Sequence, residues 1–125
     1  MDNICTGTEQ NGWNVTSFLQ LEIDGANTSF TLTADRLVKI EVQLGNAGNL
    51  LHADGGILAV TVKETPVDTG DECVMQQKQL RLTAGDRLAL ISIDPFWAKS
   101  GSVIKVFAIS TNAGDISIGG KVWIY

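Results

Sequence analysis

The feature that most constrains this chain is the alternation of apolar and polar residues, at a spacing of two, which recurs from Trp13 to the last residue while helical periodicity is nearly absent. In residues 36–44, Val38, Ile40, Val42 and Leu44 fall on one face and Lys39, Glu41 and Gln43 on the other, which predicts a strand with one wet face. Val15, Ser17, Leu19, Leu21 and Ile23 alternate against Thr16, Gln20 and Glu22 and stop at the turn cluster Asp24-Gly25-Ala26-Asn27, so they predict a first long strand. A short strand is expected over 29–32. Leu58, Val60 and Val62 point one way in a strand opened by Gly55-Gly56, and residues 66–71 form a loop or hairpin tip before a strand that buries Leu80 and Leu82. Residues 87–93 are apolar at nearly every position except Ser92, as expected of a strand covered on both faces. Residues 103–110 and 116–125 complete about eight strands, and Gly119-Gly120 marks a bulge or sharp bend in the last. The expected fold is all-β: a two-sheet antiparallel β-sandwich, jelly-roll-like.

One echo recurs inside the chain: residues 30–37 and 80–88 each read as a short strand, a Thr-Ala-(Gly)-Asp turn and a long strand. Two copies do not make a solenoid. The turn aspartates, Asp35 and Asp86, are expected to accept local backbone N–H groups.

A chain of 125 residues suits one domain and can bury roughly two-thirds of its surface, so a core is available without metal or disulfide staples. The expected organisation is an N-terminal arm over 1–12 followed by a sandwich over 13–125. With 44% hydrophobic and 18% charged residues, 13 Gly and 2 Pro, the chain is neither a disordered tail, a collagen nor a coiled coil. A net charge of -5 with scattered basic residues opposes nucleic-acid binding. The apolar runs have strand length, which opposes a membrane span. Residues 1–6 carry neither a basic nor an apolar leader region, so export through a signal peptide is not expected. Cys5 and Cys73 fit neither a redox pair nor a zinc knuckle, and the sequence leaves open whether they bridge or serve as two small packing residues.

Reaction chemistry finds little to build on. His52 is the one histidine, and no Gly-x-Ser-x-Gly elbow supplies a nucleophile for it. A metal-dependent jelly roll needs several His ligands, and one imidazole does not provide them. The densest acidic group, Asp68-Thr69-Gly70-Asp71-Glu72, lacks the spaced pattern of a calcium loop and reads as a solvated loop. No phosphate-cradling glycine loop is present. Sequons at Asn14 and Asn27 are accidental in such a Thr- and Asn-rich chain. No catalytic residue, metal site or cofactor is expected.

The aromatic residues offer more. Trp13 precedes the first strand, Phe96-Trp97 follows Pro95, and Trp123 and Tyr125 share one face of the terminal strand while Val122 and Ile124 take the other. Either pair can face the core. If the aromatic pair faces outward, another subunit or a host surface should cover it. Trp123, Tyr125, Leu88 and Leu90 are therefore the candidate subunit interface. Trp97, Phe96 and His52 are the candidate ligand or partner contacts, with Trp97 able to stack on a sugar ring. Ile4 and Cys5 are the apolar residues of the arm.

On residues 80–90, Leu-Arg-Leu-Thr-Ala-Gly-Asp-Arg-Leu-Ala-Leu, and on the aromatic terminal strand Val122-Trp123-Ile124-Tyr125, the chain from Trp13 to Tyr125 resembles small trimeric jelly-roll domains. These are the tumour-necrosis-factor and C1q-like heads, the viral capsid decoration (cement) proteins and the tail-fibre heads. The resemblance implies a non-enzymatic homotrimer seated between capsid subunits of a virion. It would be made in the host cytoplasm, with the major capsid protein as partner and an arm that orders on binding. Mass action would stabilise the assembled shell. The alternative is a carbohydrate-binding head of a tail fibre or a bacterial lectin, built around Trp97.

Overall fold

The computed structural model describes residues 2–14, 19–45, 56–82, 88–110 and 117–125. These carry ten strands and no helix: β1 Cys5–Thr6, β2 Gln10–Asn14, β3 Leu19–Gln20, β4 Phe30–Thr31, β5 Arg36–Gly45, β6 Gly56–Thr65, β7 Cys73–Leu82, β8 Leu88–Ala98, β9 Val103–Ser110 and β10 Ser117–Ile124. Two antiparallel sheets result. The first runs β1-β10-β5-β8, with β2 also on β10; the second runs β3-β9-β6-β7, with β4 also on β9. From β5 the chain passes to the second sheet for β6 and β7, back for β8, across for β9 and back for β10, the winding of a jelly roll.

The period of two is what places the core. Val38, Ile40, Val42 and Leu44 meet Leu58, Val60 and Val62, with Ile91, Ile93, Ile104, Val106, Val122 and Ile124 filling the layer between the sheets. Leu21, Ile23 and Leu32, from connecting segments, join the same core. At about 25 cal/mol per Å² of apolar area removed from water, each such aliphatic side chain contributes about 1.5–3 kcal/mol.

Several expectations change here. Of the first long strand expected from Val15 to Ile23, residues 15–18 lie outside the described residues and the rest forms only the short β3, which pairs with β9, whereas β2 ahead of it pairs with β10 in the other sheet. Leu21 and Ile23 lie beyond β3 and are still fully buried, with Leu21 N–H donating to Val106 O at 2.8 Å. The segment expected to stand apart as an arm is tied into the first sheet over residues 4–7. Cys5 pairs with Ile124, Ile4 N–H donates to Ile124 O at 2.9 Å, and Gly7 N–H donates to Val122 O at 2.8 Å. Gly7 also forms a bridge to Gly25, and a Cβ at this position would overlap the carbonyl of Glu22. Strand β8 is not covered on both faces. It lies at the edge of its sheet, with Ala89, Ile91 and Ile93 inward and Leu90 59% exposed. The expected irregularity at Gly119-Gly120 lies where the β10–β2 register shifts, between Ile118 and Gly120. Asp35 makes a long-range bond in place of a local one, Oδ1 accepting the amide of Ser100 at 2.8 Å. Asp86 lies outside the described residues.

Candidate interaction face

The outer face of the first sheet gathers Leu90, Trp97, Trp123 and Tyr125 from among the residues singled out above. Inward burial of Val38, Ile40, Val42 and Leu44 turns Leu37, Lys39, Glu41 and Gln43 outward along β5. Inward burial of Val122 and Ile124 likewise turns Lys121, Trp123 and Tyr125 outward, both aromatics half-buried. The register sets the rows: Trp123 beside Glu41 and Ser92, Lys121 beside Gln43 and Leu90, and Leu37 beside Trp97. Tyr125 extends the ladder, its N–H donating to Lys39 O at 2.8 Å.

A bulge decides which aromatic of β8 joins this face. Val38 pairs with Phe96 but Ile40 pairs with Ile93, so β8 spends one residue more than β5 over that interval. The extra residue reverses the alternation. Phe96 turns inward and is only 9% exposed, while Trp97 turns outward and is 72% exposed. Phe96 is therefore a core residue, which corrects its assignment as a contact residue. With strands about 4.8 Å apart and about 3.4 Å per residue, Trp97 stands about 12 Å from Tyr125 and about 17 Å from Trp123.

Polar groups between these rings are mostly satisfied. The Tyr125 hydroxyl donates to Glu41 Oε2 at 3.2 Å, and Lys39 Nζ lies 3.4 Å from Glu41 Oε1. Burial pushes the Tyr125 phenol above its ordinary range, and the hydrogen bond and charge of Glu41 push the same way. Lys121 Nζ sits 6.0 Å from the centroid of the Trp123 ring, a cation–π distance.

The other residues singled out in the sequence lie elsewhere. Cys5 and Ile4 belong to the core and its margin, and Cys5 and Cys73 are both free thiols, the first buried and the second exposed. Burial raises the Cys5 thiol to about 12, with Asp24 adding to the shift. Leu88 begins β8, but its side chain, like that of Trp13, lies outside what is described, as does all of His52. In the acidic loop, Asp68 pairs with Lys99 at 2.7 Å and Glu72 with Lys63 and Lys105 at 3.7 and 3.2 Å. Among the described residues, no group of three or more His, Cys, Asp or Glu is placed to hold a metal ion. No helix there is long and apolar enough to cross a membrane. Leu37, Glu41 and Lys121 are members of the face that sequence reasoning did not single out. Alternation already placed Glu41 on the wet side of β5, but nothing local linked it to Tyr125.

A scan against protein-family models finds no match, and no curated protein matches the chain. Among solved structures, the chain is similar to the crystal structure of a ruminal GH26 endo-beta-1,4-mannanase, with a TM-score of 0.49 and 8% sequence identity. The match covers 91% of this chain and spans 19% of that one.

Proposed function

We propose that this chain is a non-enzymatic structural protein of a virion, a homotrimer that decorates and stabilises an assembled capsid. The observation that carries the reading is the face just described. Leu37, Trp97, Trp123, Tyr125 and Leu90 lie on one side of one sheet, around its centrally placed terminal strand, and among the described residues no further strand layer covers them. An apolar and aromatic centre with paired charges among its rings is the composition of a protein–protein interface. Copies packed through this face would bury the indole and phenol that a solitary sandwich leaves half in water. Binding only the assembled shell then stabilises it by the decoration protein's own binding free energy, repeated at every site, and no reaction is required.

Sedimentation equilibrium on the full chain tests the assembly, and co-sedimentation with purified shells tests the partner. A trimer that Trp123→Asp converts to a folded monomer supports the reading. A monomer at tens of micromolar concentration removes it.

A second reading rests on Trp97 alone. An indole 72% exposed beside Leu37 offers a flat apolar platform of the kind that stacks on a pyranose ring, which suits the carbohydrate-binding head of a tail fibre or a bacterial lectin. Glycan-array binding that Trp97→Ala abolishes would favour it.

A further inference from the structure

We propose that Cys73, Met75 and Glu64 form a site for a soft metal ion of the Cu(I) class, where the β6–β7 hairpin meets its loop. Cys73 is the register partner of Glu64, so the two side chains leave the same face of the second sheet, with Cβ atoms about 5 Å apart. A register shift between Val62 and Lys63 leaves Met75 as the extra residue of β7. Residues two apart on a regular strand are separated by about 6.7 Å. At this irregular point the Cys73 Sγ and Met75 Sδ come within 4.0 Å. With metal–sulfur bonds of about 2.3 Å, a single ion can span that gap at an S–metal–S angle of about 120°, the opening of a three-coordinate site.

Glu64 supplies the independent reason to expect a cation. It is 6% exposed, and among the described residues no hydrogen bond or ion pair reaches its carboxylate. A buried carboxylate without a partner is costly, and such an orphan calls for an ion or donor. The nearby lysines, Lys63 and Lys105, are drawn to Glu72. The sulfur pair, in contrast, is open to solvent, so an ion can enter from that side. The thiol is aimed across the strand pair, donating to Glu64 O at 3.4 Å.

On binding, the Cys73 S–H bond breaks, its proton passes to water, and the thiolate, the Met75 thioether and the Glu64 carboxylate share the ion; no electron moves. A thioether in the set selects soft ions over Mg²⁺ or Ca²⁺, which prefer six or more oxygens.

Anaerobic competition between the reduced full chain and a chromogenic Cu(I) chelator tests the site. One Cu(I) per chain is expected, lost in Cys73→Ser and bound at least tenfold more weakly by Met75→Leu and by Glu64→Gln. Circular dichroism of each variant confirms that it folds. Met75→Leu binding as tightly as the parent would reduce the site to an ordinary exposed thiol and overturn the proposal. Undiminished binding by Cys73→Ser would do the same.

Discussion

Gln76 closes one open side of the sandwich by giving its side-chain amide to the backbone of Asp94: Oε1 accepts the Asp94 N–H at 2.9 Å and Nε2 donates to the Asp94 carbonyl at 2.7 Å. The two residues lie on the edge strands β7 and β8 of different sheets, so one side chain acts as a short stretch of pairing strand. Lys78 adds an ion pair to the Asp94 carboxylate at 3.2 Å. Because Asp94 sits at the bulge, the clasp also holds β8 where its alternation reverses.

Replacing Gln76 with Ala should leave two backbone groups without their partner. Because the site is solvated, the loss is expected near the low end of the range for a broken hydrogen-bond pair, about 1–2 kcal/mol, read from urea unfolding. Lys78→Ala, which removes only an exposed ion pair, should cost less than about 1 kcal/mol.

Inner and outer faces of β10 should respond in opposite ways. Ile124→Ala empties a core position and should destabilise the fold by about 2–5 kcal/mol. Trp123→Asp should leave the melting of the isolated chain within a few degrees of the parent while abolishing self-association, as measured by sedimentation.

Gly7 is predicted to be intolerant for a steric reason. Gly7→Ala drives a methyl into the Glu22 carbonyl and should detach β1 from β10, visible as faster hydrogen exchange at Ile4 and Gly7. Gly25 has open space around it but a φ of 55°, so Gly25→Ala should cost only about 1 kcal/mol, from backbone strain.

The two thiols should separate cleanly by reagent, and Cys5 should also mark the pH dependence of stability. Cys5 ionises near its ordinary value of 9 when unfolded but near 12 when folded. Below pH 9 both states hold the proton, so the contribution is fully present. From pH 9 to about 12 the unfolded chain alone gives it up, so stability falls across that window. The raised Tyr125 phenol acts in the same direction above pH 10. Cys5→Ala should flatten the alkaline fall, and at pH 8 a thiol reagent should label Cys73 at once but Cys5 only in denaturant.

Strand content and core were legible because each rests on a period of two, which any half-buried strand must obey. Val38, Ile40, Val42, Leu44, Leu58, Val60 and Val62 all face inward as alternation predicts. Between the two orientations left open for the last strand, the structure takes Val122 and Ile124 inward. What could not be read locally were events that need a partner strand. The change of sheet between Asn14 and Leu19 depends on β10 and β9, and the joining of Cys5 to Ile124 depends on residues at the far end of the chain. The fate of Phe96 and Trp97 turned on a bulge, and a bulge is defined only against the strand it faces. Leu90 misled because an apolar run resembles a doubly buried strand, whereas here it occupies a sheet edge.

That bulge makes the chemistry of one corner of the molecule a matter of counting. Three steps separate Ile93 from Phe96, and on a plain strand that odd number would send the indole into space shaped for a phenyl ring. Deleting one residue between them would remove the bulge yet keep Phe96 opposite Val38, so the platform next to Leu37 would survive the loss. Inserting one more there, with no second bulge to absorb it, would turn the rest of β8 over, and the platform would vanish without either aromatic being mutated.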